Sequence, residues 1–136
     1  MDFKAIIEEV FNGVKSVKEK GKLATYIPEL ANVDVNKFGV HISTINNEGI
    51  GIGDNEVKFS IQSIAKVLSV SLAYSILGEK VWKRVDVEPS GNPFNSLTQL
   101  DADNGIPRNP FINSGAIVVA DILLDHLKDP KHDFLE

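Results

Sequence analysis

Apolar residues recur at three- and four-residue steps along the first segment, at Phe3, Ile6, Ile7, Val10, Phe11, Val14 and Val17, and so fall on one face of a helix. Asp2 is positioned to cap its start, and Gly21 to end it after a basic last turn holding Lys18 and Lys20. The pattern breaks at Tyr26-Ile27-Pro28-Glu29-Leu30, because Pro28 lacks an amide donor and pushes Ile27 towards extended geometry. A strand is predicted from Gly39 to Ile45, a turn at Asn46-Asn47-Glu48-Gly49 and a returning strand from Ile50 to Gly53, together a hairpin. Asp54 and Asn55 turn the chain again before a short third extended piece, Val57 to Phe59.

From Ser63 onward Ile64, Val67, Leu68, Leu72, Ala73, Ile76 and Leu77 are apolar on most sides and stop at Gly78, which predicts a buried central helix with a glycine cap. The stretch from Val85 to Phe111 holds four of the six prolines with Gly91 and Gly105, and reads as loop and turn. Its interleaved Phe94, Leu97, Leu100, Ile106 and Phe111 favour an ordered loop packed on the body. Ala116, Ile117, Ala120, Leu123, Leu124 and Leu127 give another helix, begun near Asn113 or Ser114 and stopped by Asp129-Pro130. His132-Asp133-Phe134-Leu135-Glu136 reads as the beginning of one more, so the end looks cut. No repeat or linker divides the chain, and residues 1–136 are expected to be part of a single domain.

A hydrophobic fraction of 43% supports an ordinary core. The net charge of -5 and pI near 5.2 argue against a nucleic-acid footprint or an anionic membrane surface as partner. No apolar run approaches the roughly 18 residues of a membrane span, and the start lacks the layout of a secretory signal. There are no cysteines, which excludes disulfides and thiolate metal sites and is compatible with a reducing cytoplasm. His41, His126 and His132 have no metal-ligand spacing, so no metal is expected. His41 falls in a strand pattern, His132 in a polar tail, and His126 near a helix end where an imidazole can meet free carbonyls.

Chemistry concentrates at Ser63-Ile64-Ala65-Lys66, at the start of the predicted buried helix. Residues three apart on a helix lie side by side, so the Lys66 amine can reach the Ser63 hydroxyl and take its proton. In a dry setting an ammonium is destabilised, and a lysine then becomes a usable base. A serine in the first turn also lies beside backbone amides that can hold an oxyanion. Ten serines and twelve lysines supply about one Ser-x-x-Lys by chance. The plain alternative is that Ser63 caps the helix and Lys66 snorkels to solvent. Against it, the residues after Lys66 are so apolar that the lysine needs a partner or an opening.

The run Phe59-Ser60-Ile61-Gln62-Ser63-Ile64-Ala65-Lys66 resembles the nucleophile segment of the serine-dependent glutaminases. Three further stretches agree in order and approximate spacing: Tyr26-Ile27-Pro28-Glu29-Leu30-Ala31, Glu88-Pro89-Ser90-Gly91 and Asn109-Pro110-Phe111-Ile112-Asn113-Ser114-Gly115-Ala116-Ile117. The resemblance implies an α+β, beta-lactamase/transpeptidase-like fold, an antiparallel sheet packed with helices and incomplete in this chain. It implies hydrolysis of L-glutamine to glutamate and ammonia through a glutamyl-enzyme. Ser63 would be the nucleophile and Lys66 its proton-handling partner. Tyr26 would join the relay or bind substrate, Asn113 would bind the amino-acid end of glutamine, and Gln62 would touch substrate beside the nucleophile. No metal or organic cofactor is implied, and a homodimer or homotetramer in the cytoplasm is. Ala65 and Phe111 depart from the family's small polar and aliphatic residues. The family chain is roughly twice this length, so residues 1–136 alone are expected to be a poor catalyst or none.

Two other readings stand beside this one. Beta-lactamases and penicillin-binding proteins share the Ser-x-x-Lys signature, but their Ser-Asp-Asn and Lys-Thr-Gly elements are not found here. A non-catalytic binding module on the same scaffold would use the amphipathic first helix and the proline-bearing loop as a partner surface.

Overall fold

The computed structural model describes residues 2–18, 21–46, 48–96 and 104–134, and the chain forms two compact units, residues 1–59 and 60–136. In the first unit, helix α1 runs Phe3–Lys15. Asp2 caps it as expected, its carboxylate accepting from the Ala5 amide at 3.1 Å. The helix ends before Gly21, at Ser16, whose amide donates to Asn12 O and whose hydroxyl donates to Gly13 O at 2.7 Å. Local side-chain bonding of this kind competes with the helical ladder and leaves Val17 outside it. Of the predicted apolar face only Ile7 and Phe11, one turn apart, are buried.

The hairpin forms as predicted, its first strand two residues shorter and its second one residue longer: β1, Gly39–Ser43, pairs antiparallel with β2, Gly49–Gly53. Val40 faces Ile52 and Ile42 faces Ile50, so one face of the ribbon is aliphatic and α1 packs beside β2. Phe11 stacks on Phe38 with ring centroids 4.9 Å apart. Gly53, at φ +71°, sits where a Cβ would run into the Phe38 carbonyl and the Phe11 ring, so the residue type there is dictated twice over. The Asp54 carboxylate accepts from Phe38 N while Asp54 N donates to Phe38 O, closing the open end of the hairpin. Val57 to Phe59 adds no third strand among the described residues.

In the second unit α2 spans Ile64–Leu77 and stops at Gly78, φ +57°, as its sequence requires. A 3-10 turn over Gly78–Lys83 carries the chain to helix α3, Asn113–His126. Asp129 then caps a short α4, Pro130–Asp133, which begins two residues before the predicted His132 because Pro130 suits a first helical position. Val70 and Ala73 of α2, Val81 and Val85 behind it, and Val119, Ile122 and Leu123 of α3 make the core. The predicted burial of α2 holds on this side only. Ile64, Val67 and Leu68 remain about half exposed because no described element of the unit covers them. His126 turns its ring back on its own helix, Nδ1 lying 2.7 Å from Ile122 O, a carbonyl within the helix and not one of the free ones at its end. The Tyr74 hydroxyl donates to Glu79 at 2.6 Å, and that bond and the carboxylate charge raise its pKa.

The described parts of the long connection are held by backbone pairing: Asp86 N donates to Pro107 O at 2.8 Å and Glu88 N to Arg108 O at 2.7 Å. Pro107, Pro110 and Ile112 are buried there, whereas Phe94, Ile106 and Phe111 are largely exposed; Leu97 and Leu100 lie outside the described residues. None of the described helices is long and apolar enough to cross a membrane.

These burials set unequal costs of truncation. Ile122→Ala, at a fully enclosed side chain, is expected to destabilise the fold by about 3 kcal/mol. Ile45→Ala, at a fully exposed one, should change it by less than about 0.5 kcal/mol. Midpoints of denaturant unfolding compare the two.

Candidate active site

The approach to Ser63 is wound by its backbone. Gln62 adopts φ +44°, a left-handed conformation that a glutamine takes only under constraint. Three successive tight turns follow, with Ile64 N donating to Ile61 O, Ala65 N to Gln62 O and Lys66 N to Ser63 O at 2.9 to 3.1 Å. Ser63 stands immediately before α2, at φ −67° and ψ −6°, and its hydroxyl caps no amide. The plain capping role is therefore not the one it performs. Those turns also use the amides of residues 64 to 66, which the sequence reading had offered to an oxyanion. Among the described residues the Ser63 amide has no partner, and it is the donor that remains.

Lys66 does not snorkel into solvent. It is half-buried, and its Nζ donates to Phe111 O at 2.9 Å and to Asn113 Oδ1 at 2.8 Å. The Phe94 ring lies beneath it, 5.9 Å from the amine. Asn113 is the first residue of α3, but it is not its cap, which falls at Ile112. Its amide donates to Phe94 O at 2.9 Å and its side-chain oxygen belongs to Lys66. Among the described residues its side-chain NH2 has no hydrogen-bond partner. Gln62 turns its own NH2 to Ser60 Oγ at 2.7 Å.

The structure thus joins Lys66 to Asn113 and places Gln62 and Ser63 one turn upstream, all in the second unit. The predicted contact between the Ser63 hydroxyl and the Lys66 amine is not a hydrogen bond here: the two residues are joined only through their backbones, Lys66 N to Ser63 O. Tyr26 belongs to the first unit, in the turn that leads to a 3-10 segment at Leu30–Asn32, with its side chain exposed. Sequence reasoning missed the Phe111 carbonyl, which carries no side-chain signal, and the Phe94 ring, which it had noted only as loop packing. Among the described residues no three His, Asp or Glu side chains gather as a metal site.

An uncapped serine and a lysine tied to a neighbouring helix thus mark the entry of α2. The chain is similar to a solved structure described as probable glutaminase ybaS, with a TM-score of 0.81 at 32% identity over 88% of this chain and 38% of that one. It is also similar to a probable glutaminase from Bacillus subtilis complexed with 6-diazo-5-oxo-L-norleucine, TM-score 0.75 and 31% identity over 99% of this chain and 40% of that one. These neighbours are glutaminases of the beta-lactamase-like fold, the class expected from the sequence. Among curated proteins the glutaminase of Saccharophagus degradans is 59% identical over all 136 residues, which cover 44% of its length. Residues 21–136 match the Glutaminase family, and the chain belongs to that family.

Gly115 shows how closely the entry to α3 is packed. A Cβ there would collide with the Asn109 carbonyl oxygen and come within 3.0 Å of Pro110 Cα. Gly115→Ala is expected to cost about 2 kcal/mol by overpacking, read as a lowered unfolding midpoint.

Proposed function

We propose that this chain carries the nucleophile and proton relay of a glutaminase that hydrolyses L-glutamine to L-glutamate and ammonia. The observation that carries the reading is the bonding of Lys66. Phe111 O and Asn113 Oδ1 each accept from Lys66 Nζ, so one valence of the nitrogen is left for exchanging a proton. Ser63, three residues earlier and engaged in no cap, supplies that proton as its oxygen attacks the side-chain amide carbon. The carbonyl π pair moves to oxygen, and the Ser63 amide donates to the oxyanion. The C–N bond then breaks as Lys66 returns the proton to the leaving nitrogen, which departs as ammonia. Water attacks the ester, passes a proton back through the relay and releases glutamate with the serine restored.

In this scheme Asn113 offers its NH2 to the substrate carboxylate, and Gln62 lies beside the substrate as the residue preceding the nucleophile. Tyr26 is assigned to the relay on the family resemblance. The glutaminase family match favours this reading over the beta-lactamase alternative. A homodimer or homotetramer in the cytoplasm, with neither metal nor cofactor, completes the proposal.

Ammonia release by the full-length gene product tests it. Ser63→Ala and Lys66→Ala are each expected to lower kcat by about a thousandfold or more, and full activity in Ser63→Ala would end the assignment. Residues 1–136 alone, covering 44% of the Saccharophagus degradans relative, are expected to release no ammonia from glutamine. Stable acylation of Ser63 by a penicillin without glutamine turnover would favour the beta-lactamase class instead.

A further inference from the structure

We propose that Asn109 is a positioning residue for Lys66, fixing the peptide plane whose carbonyl holds the amine. The inference rests on the Ser63–Lys66 reading above and deepens it. Phe111 C=O and Ile112 N–H belong to one planar trans peptide unit, so they point in opposite directions and turn together. Asn109 Oδ1 accepts from Ile112 N at 3.2 Å and from Phe111 N at 3.0 Å. On the far side of the same plane, Phe111 O accepts from Lys66 Nζ at 2.9 Å. Whatever holds the Ile112 amide therefore aims the Phe111 carbonyl, and with it the lysine.

Asn109 is itself held from behind. Its Nδ2 donates to Glu88 O at 2.8 Å, in the segment already paired through Glu88 N to Arg108 O. Gly115 lets α3 close onto the Asn109 carbonyl, where any side chain would push the two apart. The turn is fastened on both flanks, and its one free output is the direction of the Phe111 oxygen. Asn113 is tied separately, through its amide to Phe94 O, so the substrate contact proposed for it does not depend on Asn109.

The test uses the full-length gene product and reads kcat, KM for glutamine, thermal stability, and the rate at which 6-diazo-5-oxo-L-norleucine captures the protein covalently. That analogue carries its own electrophile, so its capture rate reports activation of the nucleophile without ammonia departure. Asn109→Ala is expected to lower kcat and the capture rate roughly ten- to hundredfold, with KM within about threefold of the parent. Asn109→Asp keeps the acceptor oxygen for both amides but gives up the Nδ2 bond to Glu88 O, and should hold kcat above that of Asn109→Ala and within about tenfold of the parent. A folded Asn109→Ala with parental kcat would overturn the inference. So would equal impairment of the two folded variants.

If Asn109→Ala does not fold, Asn109→Asp decides alone. A kcat within about tenfold of the parent supports the inference, and kcat as low as that of Lys66→Ala overturns it. Ser63→Ala separates the two levels. Activity surviving in it removes the nucleophile assignment and this inference together. Loss of activity in Ser63→Ala and Lys66→Ala beside a parental Asn109→Ala removes this inference only.

Discussion

The Lys66 amine is the point at which the two long helices of the second unit are held in register at their entrances. It leaves α2 one turn from its start and reaches two oxygens at the start of α3, one from a main chain and one from a side chain. A half-buried amine has few ways to satisfy its hydrogens away from water, and each that it finds fixes the neighbour supplying it. Beneath it Val70 and Ala73 meet Val119, Ile122 and Leu123, so the helices cannot slide without opening the core. Packing sets the separation of the helices, and the amine sets which residues face each other at their ends.

Ser63 is shaped by a conflict that its position would ordinarily resolve the other way. A serine just ahead of a helix lowers the free energy of the chain by accepting from an amide in the first turn, commonly by about 1 kcal/mol. Here the amides of Ile64, Ala65 and Lys66 donate instead to the carbonyls of Ile61, Gln62 and Ser63. The tight winding needs Gln62 at positive φ, a conformation that costs on the order of 1–3 kcal/mol in a residue with a Cβ. The backbone thereby takes over the work of the cap and leaves the hydroxyl unspent. Strain at Gln62 and freedom at Ser63 are two sides of one arrangement.

What the sequence made legible follows from which atoms do the work. Asp2 at the first helix start, Gly78 at the end of α2 and the Gly39 to Gly53 hairpin act through side-chain type or glycine geometry, and all could be read. The end of α1 could not, because Ser16 and Gly21 are both plausible stops, and the nearer one won through a local hydroxyl bond to Gly13 O. Ser63, Lys66, Gln62 and Asn113 were singled out by motif, and the contact between Lys66 and Asn113 spans 47 positions that no local rule links. Phe111 was noted as an unusual side chain, yet its carbonyl is what matters. Main-chain acceptors are common to every residue, so their placement is invisible until the fold aims them.

The exposed apolar residues around this entrance bear on the same chemistry. Ile61, Ile64, Val67 and Leu68 stay between about two-fifths and just over half exposed, although the sequence pattern marks α2 as a helix to be covered on most sides. The chain covers 44% of the Saccharophagus degradans relative, and such relatives have more than as much polypeptide again with which to cover a surface of this kind. Covering it would bury apolar area and, in the same step, exclude water from the region beside Ser63 and Lys66. Hydrogen bonds from the lysine and from the Ser63 amide strengthen as the local dielectric falls. Stability and reactivity therefore ask the same thing of this face. In the proposed scheme the Ser63–Lys66 pair works best in a dry setting, and apolar side chains already line the ground there, so covering this face would serve packing and chemistry together.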